Sequence, residues 1–487
     1  MTHTSAAHID LYQLTSLVAH WDHGKAGEEA WMSFFSRRLP QDLAGAPARR
    51  FLLWAGLRRA VEHLAGARFS DAQLDALLAH PALGPALRAR PALVEALRGW
   101  RFRGEVWAPA EGELLWANPA ELLSASGARA PFDVDGVRPS AAPPYLQVRC
   151  DLLSAKLIET PLLSIINHMT MVATKAAHIV AAAAGRPVFE FGSRRTHLDA
   201  AVDAAYAAYL AGAAATSNVE AYCRYGVPAV GTMDHFAVQA WEREGVGVAQ
   251  TEREFFEAFY RVYPAQASLL VDTYDAFGDE TGIRNAVRAT GGGLKGVRLD
   301  SLLSVESVRR ARALLDALGA PHATIIASGG VDEGEIRALA EAPVDAFGVG
   351  ERLVTSADAP VGVGAVGKLS SVGGRPTLKQ ARGSAKATLP GPLQCYRGPA
   401  GDRLALLASS AARPGERALI ARVWDAASAP APALGLEEAR ARARTGLAAH
   451  VRDAGREVLA QRVYLDEGLA ALVEGLVRGG RPEGLAP

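Results

Sequence analysis

The sequence predicts an α/β protein built on an irregular, incomplete βα barrel. From about residue 150, short apolar or β-branched runs alternate with longer helical segments, the pattern of a parallel sheet. Six such runs are found, at 187–191, 228–231, 268–272, 296–300, 324–328 and 345–349. Nearly every run ends in glycine or polar residues, and in a barrel those ends converge on the face that carries active sites. The last two turns, Ser328-Gly329-Gly330 and Gly348-Val349-Gly350, are glycine-rich and one βα unit apart. That is where a barrel places its usual phosphate site; the alternative is a pair of tight turns. Six runs fall short of eight, so either the barrel is irregular or two strands escape the pattern.

Taken in order, the first hundred residues read mostly as helices, rich in Ala, Leu and Arg, with Ser70-Asp71 as a cap-like opening. Residues 101–118 alternate apolar and polar positions between Pro and Gly, which predicts short strands. Segment 127–144, rich in Pro, Ala and Gly, reads as a loop. A long helix, ETPLLSIINHMTMVATKAAHIVAAAAG, precedes the first barrel run. Within the stretch His322 to Ser356, Asp332 is placed to cap a helix whose first turn holds Glu333 and Glu335. Beyond residue 360, VGVGAVGKLSSVGGRPTLK is glycine-rich and strand-like, and 400–487 reads as mostly helical. The alternating Arg/Ala run in LEEARARARTGLAAHV fits a solvated helix face.

Composition narrows the function classes. Lys+Arg and Asp+Glu are equal at 52 each, which argues against a nucleic-acid protein. An anionic ligand must therefore be met by local clusters. No uncharged run reaches the length of a membrane span, and the N-terminus lacks a basic-then-apolar leader. The three cysteines, Cys150, Cys223 and Cys395, form neither a metal-ligand pattern nor an even disulfide set. A cytoplasmic location is the expectation.

The candidate chemistry lies at the ends of the runs. Arg194 and Arg195 follow the first, and guanidinium grips carboxylate or phosphate through paired N–H donors. A surface salt bridge is the alternative. Arg298, Asp300 and Ser301 end another run, where a carboxylate beside a hydroxyl serves sugar hydroxyls or Mg²⁺, or simply caps the next helix. Asp272 and Asp275 form a weaker version of the same pattern. His235, preceded by Asp234, is a candidate acid, base or nucleophile. Lys368 could neutralise phosphate charge.

Taken together, the ordered motifs IDLYQLTSLVAHW, FRGEVWAPAEGELL, IETPLLSIINHMTMVATKAAH, PVFEFGSRRTH, AAATSNVEAYCRYGVPAVGTMDH, LLVDTYDAFG, KGVRLDS, IIASGGVDE, FGVGERLVTS and GAVGKLSSVGGRPTLK resemble the nicotinate phosphoribosyltransferase family. The resemblance implies a barrel plus a second α+β domain built from the N-terminal region and the chain after the barrel. The corresponding division is 1–145, 146–370 and 371–487, the last with a helical C-terminal segment. It implies attack of nicotinate on C1′ of 5-phosphoribosyl 1-diphosphate, giving nicotinate mononucleotide and diphosphate, with Mg²⁺ required and ATP hydrolysis coupled through a phosphohistidine. By motif position that histidine is His235. Arg194 binds substrate anions beside the ring, and Phe191 stacks on one pyridine face. Tyr12 covers the other face from the partner subunit of a homodimer. Arg298 and Asp300 hold the phosphoribosyl group, and the turns at Ser328-Gly329 and Gly348-Gly350 cradle its 5-phosphate. The metal ligands stay unassigned.

Three departures accompany the match. The run after Ser301 lacks the family's Gly-Asp pair, Glu351 stands where a small hydroxyl residue is common, and Phe236 follows His235 in place of Ser. Asn218 replaces the aspartate of the nicotinamide-using relatives, which favours an acidic substrate. Two alternatives remain: a nicotinamide or other pyridine phosphoribosyltransferase, and a non-catalytic phosphoribosyl-binding regulatory relative.

Overall fold

The computed structural model of the chain describes residues 4–36, 51–116, 122–124, 131–139, 143–301, 303–355, 363–384, 386–408, 410–452, 457–458 and 462–479. The chain forms two compact units. One comprises Val172–Asp358 and Leu447–Val458; the other comprises Met1–Met171, Ala359–Gly446 and Leu459–Pro487.

The first unit holds a six-stranded parallel sheet. Its strands are β1 (Val188–Glu190), β2 (Ala215–Thr216), β3 (Ser268–Leu270), β4 (Gly296–Leu299), β5 (Thr324–Ser328) and β6 (Ala346–Val349). The spatial order is β2-β1-β6-β5-β4-β3, so the first strand pairs with the last. The strands read as near-continuous apolar runs because helices cover parallel sheets. All four residues of β6 are buried, as are Val297, Leu299, Ile325 and Ala327. Between β3 and β6 the helices alternate with strands as the sequence predicts: Gly282–Thr290, Val305–Ala317 and Glu333–Leu339. Asp332 caps the last through a reciprocal box with Glu335, a device worth about 1 kcal/mol.

One predicted strand is corrected. Residues 228–231 contribute only a single bridge, from Ala229 to Thr216, and the sixth strand is the short β2. Two residues give too little alternation to reveal a strand. The sheet has β2 and β3 at its opposite edges. Residues 217–267, which join them, carry the helices Val219–Tyr225, His235–Gln239 and Val248–Val262. The barrel is irregular at this interval, and His235 sits within it.

The second unit contains an antiparallel six-stranded sheet. Glu29–Ser36 lies near its middle, paired with Ala365–Val372 on one side and Leu146–Asp151 on the other. The helical reading of the first hundred residues therefore misses a strand: EAWMSFFS is aromatic-rich and almost wholly buried, so tertiary pairing decides its conformation. The strands expected at 101–118 appear as Glu105–Pro109 and Leu114–Leu115, and Ser70 caps Asp71–Ala79. Of the expected loop at 127–144, residues 131–139 and 143–144 are described, and they carry only isolated bridges such as Val134 to Val137. The helical reading of 400–487 holds for Leu436–His450 and Glu467–Val477, whereas Gly401–Leu406 and Ile420–Asp425 are strands. Buried arginines occupy this region. Arg397 pairs with Asp402 and Arg403 with Glu416.

Cys150 and Cys395 are buried in this second unit, and burial pushes both thiols well above their ordinary value. Cys223, on the helix Val219–Tyr225, is exposed. Among the described residues no helix is long and apolar enough to cross a membrane.

Candidate active site

A cavity of about 880 Å³ opens where the parallel strands end. Its lining includes Phe191, Arg194, His235, Arg298, Asp300, Ser328, Gly329, Gly348 and Gly350. Nine residues singled out in the sequence thus meet on one wall system, though they come from five chain segments.

The turn after β1 is held by Glu190. Its buried carboxylate accepts from the Gly192 N–H and from Thr216 Oγ1 at 2.5 Å, tying the turn to β2. Burial raises the pKa of Glu190, and those same hydrogen bonds oppose the shift. Phe191 stacks on Phe189 with centroids 6.1 Å apart. A Cβ on Gly348 would lie 2.6 Å from the Phe191 ring. Glycine is needed there to admit the aromatic ring, in addition to any approach by a phosphate.

The ends of β3, β4 and β5 are locked side by side. Asp272 Oδ2 accepts from the Asp300 N–H at 2.8 Å and from Ser301 Oγ at 2.7 Å. Ser328 Oγ donates to the Asp300 carboxylate. Gly329 has φ +101°, and a Cβ on it would lie 2.0 Å from the Asp300 carbonyl oxygen. Only glycine takes this conformation at so close an approach. Asp300 is therefore bonded to both neighbours and does not serve as a helix cap. That task falls to Ser304, four residues on, which caps Val305–Ala317 with Ser307. Leu302, next to the shortened run, lies outside the described residues.

His235 opens the helix His235–Gln239, and its Nδ1 lies 3.1 Å from Thr273 Oγ1. That bond leaves Nε2 as the ring nitrogen available to a ligand. Asp234 accepts from the Ala237 N–H at 2.9 Å and so has a capping task. Glu351 is offset by Arg195, 3.7 Å away, which answers the repulsion expected from a carboxylate beside a phosphate turn. Below the other turn, buried Lys175 bonds Glu333 at 2.5 Å, so the first residue of the helix after β5 brings no uncompensated negative charge.

Burial lowers the pKa of Arg298 from the ordinary arginine value; Asp300 and Asp272 act against the shift and Arg194 adds to it. A guanidinium stays charged under such conditions. Thr232 Oγ1, Asp272 Oδ1 and Arg298 Nε are buried without a hydrogen-bond partner. Buried polar atoms are rarely left so; Thr232 and Arg298 line the cavity, where such groups suit a polar ligand, and Asp272 adjoins it through Asp300.

Asn218 stands one residue behind the lining residue Ser217. Its Oδ1 accepts from the Ala221 N–H at 2.9 Å, and its Nδ2 donates to Ser193 Oγ at 3.1 Å. Ser193 lines the cavity. Tyr12 and Lys368 belong to the other unit. There Tyr12 is 58% exposed with Lys156 Nζ 5.9 Å from its ring centroid. Lys368 Nζ is 3.9 Å from Glu159.

Ser193 and Thr273 stand out in the sequence only as polar residues at strand ends, with no role of their own, and Phe255 and Phe259 escape it altogether. Phe255 and Phe259 line the cavity from the helix Val248–Val262, at a four-residue spacing that looks the same as ordinary core. Thr273 had no signal beyond its place after a strand. Among the described residues, no group of three or more His, Cys, Asp or Glu is arranged to hold a metal ion.

The chain is similar to known proteins over most of its length. Residues 8–129 match the profile of the nicotinate phosphoribosyltransferase (NAPRTase) N-terminal domain. Residues 172–359 match that of the quinolinate phosphoribosyl transferase C-terminal domain. The chain is 41% identical over 371 residues to nicotinate phosphoribosyltransferase pncB1 of Mycobacterium tuberculosis, covering 76% of this chain and 73% of that protein. It is 34% identical over 404 residues to the nicotinate phosphoribosyltransferase of Bacillus subtilis, covering 80% and 72%. The crystal structure of human nicotinic acid phosphoribosyltransferase superposes with a TM-score of 0.74 at 26% identity, covering 96% of this chain and 99% of that one. On identity, coverage and the shared arrangement of strands, the chain belongs to the nicotinate phosphoribosyltransferase family.

Proposed function

We propose that this protein transfers the phosphoribosyl group of 5-phosphoribosyl 1-diphosphate to nicotinate and couples the transfer to ATP hydrolysis through a phosphohistidine at His235. The observation that carries the reading is one cavity that gathers aromatic rings, three guanidinium groups, a histidine, carboxylates and two glycine turns. Family membership supports the substrate pair.

In this reading Phe191 takes one face of the pyridine, and Arg194 holds the nicotinate carboxylate with help from Ser193. The glycine turns after β5 and β6 receive the 5-phosphate through backbone N–H groups. Asp300, fixed by Ser328 and Asp272, accepts from ribose hydroxyls, and Arg298 faces the diphosphate. The pyridine nitrogen attacks C1′ as the C1′–O bond to diphosphate breaks, through an oxocarbenium-like transition state. Positioning and preorganised charge do the work, since the chain makes no bond to the sugar.

A divalent cation fits the residues present. Asp272 Oδ1 is buried and unpartnered next to Asp300, and Mg²⁺ on a diphosphate needs only one or two protein carboxylates. Asp272 and Asp300 would hold it, and when bound it neutralises leaving-group charge. If the Nδ1–H of His235 donates to Thr273, Nε2 presents its lone pair to the γ-phosphate of ATP. The phosphoryl group then adds about two negative charges beside the diphosphate site. Exposed Tyr12 covers the second pyridine face from the partner subunit of a homodimer.

Steady-state kinetics with nicotinate and nicotinamide test the substrate. A clear preference for nicotinamide refutes it. For the coupling, His235→Ala is expected to abolish nicotinate-dependent ATP hydrolysis while slow, ATP-independent transfer continues. Coupling that survives the substitution removes the phosphohistidine.

A further inference from the structure

The loop from Asp272 to Thr281 holds three parts of the site at once. Asp272 fixes the Asp300 N–H and Ser301, as described above. Thr273 bonds His235 Nδ1 at 3.1 Å. Tyr274 donates through its hydroxyl to Glu242 Oε1 at 2.6 Å, just beyond the short helix that His235 opens. The loop is closed on itself by Asp275, which accepts from the Phe277 N–H at 2.9 Å and from Thr281 Oγ1 at 2.8 Å. Arg310 lies over the Phe277 ring, 4.3 Å from its centroid.

The far end of this loop is pinned by one side chain. Glu252, on the helix Val248–Val262, is wholly buried. Its Oε2 accepts from the Gly282 N–H at 2.8 Å and from Asn285 Nδ2 at 3.0 Å. Asn285 Nδ2 also donates to Ala249 O at 2.7 Å. Glu252 thereby joins the helix before β3 to the first turn of the helix that follows the loop. A buried carboxyl with Oε1 unpartnered is costly, and apolar packing alone would serve a mere core position more cheaply. Burial raises its pKa to about 7, with Asn285 and Gly282 acting the other way.

We propose that Glu252 is a positioning residue for this site: by anchoring the loop at Gly282 it delivers the Thr273 hydroxyl to His235 Nδ1 and sets the tautomer of the imidazole. The catalytic consequence rests on the reading of His235 as the phosphorylated group; the positional one does not.

The experiment uses the full chain labelled with ¹⁵N-histidine, with the His235 ring signals assigned by their loss in His235→Gln. Glu252→Ala and Thr273→Val are expected to move the Nδ1 and Nε2 shifts of His235 away from a single tautomer, in the same direction. Glu252→Gln keeps an acceptor for Gly282 and leaves them as in the parent. Should Glu252→Ala not fold, Glu252→Asp withdraws the acceptor by one methylene and is read instead. Unchanged His235 signals in Glu252→Ala (or Glu252→Asp) overturn the proposal, as do signals that Thr273→Val fails to move. In parallel, Glu252→Ala is expected to raise the ratio of ATP hydrolysed to product severalfold, with the KM for nicotinate within twofold of the parent. If the ring signals move but His235→Ala remains coupled, the phosphohistidine reading fails and the positioning stands. If His235→Ala uncouples and Glu252→Ala alters neither signals nor ratio, the positioning fails alone.

Discussion

Asn218 shows how much one amide can decide. Its oxygen is committed to the Ala221 N–H, so only its nitrogen faces Ser193, and the serine keeps its own proton to offer. Asn218→Asp caps the helix Val219–Tyr225 equally well but makes the serine donate backwards. We expect stability within about 0.5 kcal/mol of the parent and kcat/KM for nicotinate lower by about tenfold or more, a loss of roughly 1.4 kcal/mol or more in transition-state binding. Parallel thermal melts and initial rates check both parts. Glu252 makes a second, titratable case. Its folded pKa of about 7 stands above the ordinary 4.5, so its contribution to stability is full below about 4.5 and is lost as pH rises through 7. The loss amounts to about 3 kcal/mol. Urea unfolding at pH 5 and pH 8 should show that decline in the parent and a shallower one in Glu252→Gln; equal slopes would mean that the carboxyl does not titrate there. The partly legible site residues divide along the same line. Arg194, His235 and Asp300 stand out by charge, whereas Thr273 and Ser193 are common residues whose roles depend on a hydrogen bond across dozens of positions.

Among the elements, the turn after β5 bears the most weight. Gly329 is left-handed and packed against the Asp300 carbonyl, so Gly329→Ala must shift both strand ends. Left-handed strain alone costs about 1–2 kcal/mol, and the clash adds to it. The expected result is a KM for 5-phosphoribosyl 1-diphosphate raised at least tenfold with a smaller change for nicotinate; initial-rate kinetics at saturating co-substrate read this directly. The ion pair of Lys175 and Glu333 under that turn is buried, and removing one partner from such a pair leaves an uncompensated charge at a cost of about 3–5 kcal/mol. The helices and strands of this unit were legible because their period and caps agree, as at Asp332. The exceptions are informative. The strand Ala215–Thr216 is too short to carry a pattern, and Glu29–Ser36 has helix-compatible residues that become a strand only through its two long-range partners.

At the level of the whole molecule, neutral net charge leaves any anionic ligand to local cations, and Arg194, Arg195 and Arg298 line the cavity. Arg195 and Lys175 balance Glu351 and Glu333. The ordered motifs along the chain made the family legible, whereas the proposed homodimer rests on the resemblance alone, because a second copy leaves no periodic mark in one sequence. A shared site makes a definite demand. Tyr12→Ala and His235→Ala protomers, each inactive in coupled turnover, should regain activity when mixed and allowed to exchange, since a two-fold pair then holds one intact site. No recovery, in a sample that sediments as a mixed dimer, would place Tyr12 outside the partner's cavity. The three thiols add a practical handle. Cys150 and Cys395 are buried and held in the unreactive form, so a maleimide dye should attach to Cys223 alone, on the very helix whose cap touches Ser193. Fluorescence from that one position would report arrival of the pyridine acid in real time, with no engineered cysteine.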